Sequence, residues 1–140
     1  PKGAANLIKP DLAFAVDFGV AYDFPGMTSE KNVGKLGDGP LAILMDATSI
    51  AHDGLRKHIK DVAEHHNIPV QWATTPGGGT DAGSIHVANE GIPTITIGVP
   101  LRYMHSNVSV LNIDDYTNSV RLITEIVRSL NDDSYQALMW

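Results

Sequence analysis

Two nearly unbroken apolar runs, Leu12–Val16 and Leu41–Met45, stand out from a mixed background, and each is closed by an aspartate, Asp17 and Asp46. Short apolar runs with polar borders predict strands buried on both faces. Residues 70–74 and 92–99 predict two more strands. Between the strands, apolar positions recur at helical spacing. Leu55, Ile59, Val62 and, more weakly, His66 predict a helix over 53–66, with Asp53 as N-cap and Asn67 as stop. Tyr116, Val120, Ile123 and Val127 predict the buried face of a helix over 114–130. Thr80 is placed to cap a helix reaching about Asn89, with Gly91 as its C-terminal signal. Residues 3–8 predict the end of another helix, broken by Lys9-Pro10-Asp11. Residues 18–40 hold five glycines and two prolines and predict a long loop, a kind that is usually functional. Residues 131–140 predict a polar tail. Strands alternating with helices predict one α/β sandwich domain over 1–140 with a mostly parallel sheet.

Composition narrows the function classes. The chain of 140 residues is 43% hydrophobic and 19% charged, as expected of a folded domain. Sixteen acidic residues against 10 basic ones give a net charge of −6 without any basic run, which argues against a nucleic-acid partner. The absence of cysteine excludes a disulfide scaffold, a thiol nucleophile and a cysteine zinc site. Any metal must be held by His, Asp and Glu. No apolar run approaches the roughly 20 residues of a membrane span, and no signal peptide is recognisable at the start. A cytoplasmic location is the expectation. The opening Pro1-Lys-Gly-Ala-Ala enters structure at once without an initiator methionine, as expected for a piece of a longer chain.

Candidate chemistry gathers at the predicted strand ends, where open α/β sheets bind ligands. Asp17 closes the first strand, although an aspartate there also serves simply to cap a loop. His105 follows the fourth strand, and neutral imidazole is a common metal ligand, although it is also common as a hydrogen-bonded loop residue. The remaining histidines are weaker candidates. His58, His65 and His66 read as solvated helix residues, His52 as part of a loop, and His86 as packing within a helix. Gly77-Gly-Gly-Thr-Asp81 lacks the lysine of a P-loop and the spacing of G-x-G-x-x-G. It reads as a tight strand-to-helix turn whose backbone N–H groups can approach a ligand or a developing oxyanion, with Asp81 favouring the helix dipole. Ser49, Ser84 and Ser106 lie outside any G-x-S-x-G elbow, which removes the serine hydrolase reading.

Five segments occur in order: Asp11-Leu-Ala-Phe-Ala-Val-Asp17, Gly37-Asp-Gly-Pro40, Gly78-Gly-Thr-Asp-Ala-Gly83, Glu90-Gly-Ile-Pro93 and Arg102-Tyr-Met-His-Ser106. Together they make the chain, from about Ala4 to Leu130, resemble the C-terminal part of the M42 family of metallo-aminopeptidases. That family includes glutamyl and deblocking aminopeptidases and the TET peptidases. The resemblance implies a three-layer, zinc-peptidase-like sandwich and an incomplete catalytic domain. It implies two divalent ions, zinc or cobalt, with Asp17 and His105 among their ligands. From their position beside strand ends that face one crevice, Gly78, Gly79 and Thr80 are expected on the site wall near the peptide substrate, and Arg102 is expected to orient the His105 loop or a substrate carbonyl, with pairing to an acidic side chain as the alternative. The other ligands, and the glutamate general base, are implied upstream of Pro1, so this segment alone is expected to be inactive. A homo-oligomeric parent enzyme is also implied. Two alternatives stand beside this reading. One is a non-catalytic binding or assembly module on the same fold. The other is a hydrolase of another substrate such as a glucan, for which no pair of flanking carboxylic acids can be named.

Overall fold

The computed structural model describes residues 1–27 and 34–139. Four strands, β1 (Ala13–Val20), β2 (Leu41–Asp46), β3 (Gln71–Thr75) and β4 (Thr94–Leu101), form one sheet in the order β1-β4-β2-β3. β1 runs parallel to β4 and β2 parallel to β3, so the sheet is mostly parallel as expected. The central pair, β2 and β4, is antiparallel. β4 is buried along its whole length, because it lies inside the sheet with both faces covered. β1 lies at the edge and continues to Val20, so Asp17 sits within the strand and not at its end.

Five helices complete the fold: α1 (Lys2–Ile8), α2 (Asp53–His65), α3 (Ala82–Ile85), α4 (Ile113–Ser129) and α5 (Asp132–Met139). Side chains alternate across a strand. Ile95, Ile97 and Ala42 therefore point to one face, where they pack with Leu55 and Ile59 of α2, Leu122 and Ile126 of α4, and Leu138 of α5. On the opposite face Ala13 and Ile85 pack with Ala5, Ala88 and Ile92, which brings α1 and α3 onto the sheet. Leu41, Ile43 and Ala73 form a small separate cluster. The result is the three-layer sandwich.

Several local expectations are corrected. The cap of α2 is His52; Asp53 lies in its first turn and pairs with Arg56 and Lys57 at 2.7 and 2.8 Å. α3 is a single short turn with Asp81, not Thr80, before it, and Asp81 makes no capping hydrogen bond. The buried face of α4 is Asp115, Ser119, Leu122 and Ile126, while Tyr116, Val120 and Val127 are exposed. Apolar spacing alone misses this face because two of its positions are polar and satisfied. Asp115 accepts hydrogen bonds from Gly37 N at 2.7 Å and Gly39 N at 2.8 Å, and Ser119 Oγ donates to Asp115 O at 2.8 Å. Gly37 and Gly39 both have φ near +90°, the region that favours glycine, which explains the Gly37-Asp-Gly-Pro40 segment.

The predicted polar tail is instead α5, with Leu138 buried in the main core. Gly54 of α2 lies directly against it, and a Cβ there would overlap the carbonyl oxygen of Leu138. A glycine-to-alanine change in a helix normally gains about 1 kcal/mol. Here the collision dominates, and overpacking costs about 1–3 kcal/mol. Gly54→Ala is expected to lower the thermal midpoint by roughly 5–10 °C. An unchanged or raised midpoint in a circular dichroism melt would show that α5 does not dock on α2.

Candidate functional site

A cleft of about 660 Å³ is lined by Asp17 and the β1 residues that follow it, by Leu41, Ile43 and Ala73, by the glycine turn through Thr80, and by Tyr103, Met104 and His105. Its floor is cut from small residues. Asp17 stands opposite Gly98 in the β1–β4 ladder. A Cβ on Gly19 would collide with the Leu41 side chain, so glycine lets Leu41 lie flat against the strand. β2 and β3 run antiparallel to β4, so the ends of β3 and β4 lie toward opposite edges of the sheet. Asp17 and His105 lie toward the shared carboxyl ends of the parallel pair β1 and β4, whereas the glycine turn follows the end of β3 on the opposite side, and all three line one cleft that extends over the sheet.

Asp46 holds the glycine turn in place. This buried carboxylate accepts from Thr48 N at 2.7 Å, Thr48 Oγ1 at 2.8 Å and Ser49 N at 2.8 Å through one oxygen. The other oxygen accepts from Thr80 N at 3.1 Å and Thr80 Oγ1 at 2.7 Å. The Thr80 hydroxyl also lies 2.8 Å from Thr96 Oγ1 on β4. Burial alone would raise the Asp46 pKa, but the donors from Thr80, Thr48 and Ser49 outweigh it and hold the carboxyl below its ordinary value. Gly79 and Gly83 both abut Thr48, leaving no room for side chains. In the sequence Asp46 stands out only as a strand end. The signal available was an aspartate followed two and three residues later by Thr48 and Ser49, the spacing of a side chain that bonds its own downstream backbone.

The candidate residues Gly78, Gly79 and Thr80 all line the cleft. Their N–H groups are not equivalent. Gly78 N donates to Thr75 O and Thr80 N to Asp46, which leaves the Gly79 N–H without a protein acceptor among the described residues.

The His105 loop is closed at its base by paired backbone bonds between Arg102 and Val110, at 2.9 and 3.2 Å. Tyr103 and His105 both adopt left-handed backbone, with φ of 60° and 63°. Such conformations are uncommon outside glycine and persist where surrounding contacts enforce them. The Ser106 and Ser109 hydroxyls lie 2.6 and 3.1 Å from Tyr103 O and supply those contacts. Arg102 does not line the cleft. Its guanidinium donates to both carboxylate oxygens of Asp23, at 2.7 and 2.6 Å, and to Asp23 O at 3.2 Å. The Arg102 hydrogen bond, with a further one from Leu36 N, holds the Asp23 carboxyl below its usual range despite partial burial.

Asp17 and His105, far apart in sequence, are both exposed and line the same cleft. One Asp17 oxygen accepts from Phe18 N at 2.7 Å, leaving the other open. A carboxylate and an imidazole suit zinc or cobalt. Among the described residues no group of three or more His, Asp or Glu converges to hold an ion. The pair supplies two donors of the right chemistry in one cleft. The other histidines lie elsewhere. His86 Nδ1 is 2.9 Å from Ala82 O, as expected of packing within a turn. His58, read from sequence as solvated, is half-buried; its Nε2 lies 2.9 Å from Ser129 Oγ, and burial pushes its pKa down.

Comparison with known proteins agrees with this fold. The chain is 40% identical over 126 residues to a putative aminopeptidase of Acetivibrio thermocellus, covering 90% of this chain and 38% of that protein. It is 37% identical over 132 residues to a glutamyl aminopeptidase of Lactococcus lactis, covering 94% of this chain and 36% of that one. A solved TET aminopeptidase from the marine sediment archaeon Thaumarchaeota archaeon SCGC AB-539-E09 superposes with a TM-score of 0.94 at 32% identity, over 98% of this chain and 38% of that chain. The chain thus spans well under half the length of these relatives. The M42 glutamyl aminopeptidase family model matches residues 2–122, and the chain belongs to that family.

Proposed function

We propose that residues 1–140 are the C-terminal portion of the catalytic domain of a metal-dependent aminopeptidase, which releases the N-terminal residue of a peptide at a dinuclear centre. The observation that carries this reading is the placement of Asp17 and His105 in one cleft with the glycine turn. Asp17 and His105 would each supply a ligand. A bound zinc or cobalt pair would contribute Lewis acidity toward water and the scissile carbonyl. The Asp17 carboxylate sits on a sheet strand, so its position is stiff. His105 is presented by the left-handed loop that Ser106 and Ser109 tie down. The Gly79 N–H is a free backbone donor on the cleft wall and is suited to a carbonyl oxygen that gains charge. Arg102, through Asp23, fixes the loop bearing His105 instead of touching substrate.

The remaining ligands and the general base lie outside this segment in the proposal. No helix among the described residues is long and apolar enough to cross a membrane, and a cytoplasmic enzyme fits. Exposed Tyr116, Val120 and Val127 along α4 support a homo-oligomeric parent.

The isolated 140 residues should bind zinc or cobalt weakly in calorimetric titration and should not turn over aminoacyl-anilides, because two ligands do not complete a catalytic site. The full-length enzyme, loaded with metal, should hydrolyse them. Chelator-sensitive activity from the isolated segment would refute the placement of the base outside it. A loaded full-length protein inert toward every aminoacyl-anilide would refute the aminopeptidase reading.

A further inference from the structure

One wall of the cleft is aromatic. The Tyr22 and Phe24 rings lie 6.4 Å apart between centroids, and the Phe24 and Tyr103 rings 5.9 Å apart, both pairs tilted. Val20 and Met27 line the cleft beside them. The wall belongs to the two segments that carry the candidate ligands. β1 runs from Asp17 directly into Val20 and then Tyr22, and Tyr103 precedes His105 by two positions. The rings, Asp17 and His105 all line the same cleft.

The wall is also fixed in place. The Arg102 fork on Asp23 ties the segment carrying Tyr22 and Phe24 to the loop carrying Tyr103, and Leu36 N reinforces Asp23 at 3.1 Å. Rings held before binding lose little further freedom when a ligand arrives. The same pair settles the electrostatics. Arg102 is the guanidinium adjoining the cleft, and both of its donor directions toward Asp23 are occupied, so its charge is compensated. Among the described lining residues no Lys or Arg remains to meet a carboxylate side chain. Placing a carboxylate or an ammonium on such a wall would strip its hydration without return.

We propose that this wall receives the side chain of the substrate's N-terminal residue, and that the enzyme prefers large apolar residues such as leucine, methionine and phenylalanine over glutamate, aspartate and lysine. The proposal presupposes the aminopeptidase reading above and departs from the preference in the name of its glutamyl relative.

The test uses the full-length, metal-loaded enzyme and the anilides of Leu, Phe, Met, Ala, Glu and Lys. Leu and Phe are expected to exceed Glu and Lys in kcat/KM by about 100-fold or more. In Phe24→Ala the ratio of kcat/KM for Leu to that for Ala should fall by about 10-fold or more. If that variant does not fold, Tyr22→Ala, altering a more exposed ring, carries the same comparison. Phe24→Arg should raise Glu relative to Leu. Free leucine should bind the loaded enzyme more tightly than free glutamate in calorimetry. An active enzyme that prefers Glu or Lys overturns the subsite while leaving the aminopeptidase reading intact. An unchanged Leu-to-Ala ratio in a folded ring variant overturns it as well. A protein inactive on all six anilides refutes the aminopeptidase reading, and the calorimetric order then decides the subsite independently.

Discussion

In the full-length enzyme, His105→Ala is expected to remove metal and activity together. Imidazole is a direct ligand in the proposed centre, and alanine offers no replacement donor. Partners that merely orient a ligand are worth about 10–100-fold in metal affinity or activity, so a lost ligand should cost at least the upper end of that range. Elemental analysis after dialysis, beside an anilide assay, measures both. Arg102→Ala provides the contrast. It breaks the bidentate link to Asp23, which frees the loop without deleting a ligand. Metal content should stay near that of the parent, while kcat/KM drops by about 10–100-fold through misplacement. Full metal occupancy in His105→Ala would show that this residue is no ligand and would remove the chemical basis for assigning the cleft.

Asp46→Asn is expected to have the largest effect on stability. The amide keeps one acceptor oxygen but turns an N–H₂ toward either Thr80 or the Thr48–Ser49 segment, where donors already point at the carboxylate. Each buried donor left unmet costs about 1–3 kcal/mol, so a loss of about 2–4 kcal/mol is expected. That corresponds to a fall of roughly 10 °C in the thermal midpoint. The pH dependence separates this from general damage. The Asp46 pKa is depressed in the folded state below its ordinary value of 3.8, so the unfolded chain takes up its proton at a higher pH. The stabilisation is complete above 3.8 and is lost as pH falls through the depressed folded value. Asp23, held low first by Arg102, contributes with the same sign. Acid unfolding of Asp46→Asn should therefore show a shallower loss of stability below about pH 4 than the parent. An identical acid profile in the two proteins would mean that Asp46 carries no such charge-dependent network.

Much of the fold is legible because its causes are local. The apolar runs at 12–16 and 41–45 are strands, although burial on both faces fails for the edge strand β1, where Val16 is exposed, and at Met45 of β2. Leu55, Ile59 and Val62 recur every turn and bury together in α2. Asn67 follows the end of α2 with left-handed backbone, as its residue type suggests, whereas Gly91, though also left-handed, lies well past α3, which ends at Ile85. The failures are equally physical. α4 turns Asp115 and Ser119 inward, because Asp115 meets the N–H groups of Gly37 and Gly39 from a segment far away in sequence. A periodicity count cannot register a polar residue whose partner lies 76 positions off. α5 looks polar because its burial rests on Leu138 docking beside Gly54.

The sequence by itself determined where the four strands and the helices α2 and α4 form and that any metal ligand from a side chain of this segment must be His, Asp or Glu, and it singled out Asp17, His105 and the glycine turn as candidates. Those properties follow from side-chain chemistry and from backbone periods that each short segment carries alone. Only the tertiary structure decided how the pieces meet. The antiparallel seam between β2 and β4 brings the glycine turn in from the end of the sheet opposite to the His105 loop, so the crevice extends over the sheet face. Folding paired Arg102 with Asp23, which cancelled the one guanidinium beside the cleft, and gathered Tyr22, Phe24 and Tyr103 into a wall. It also made Asp46 the anchor of the glycine turn. A buried charge or a hydrogen-bond donor is satisfied by whichever distant group packing delivers, and that choice belongs to the whole chain.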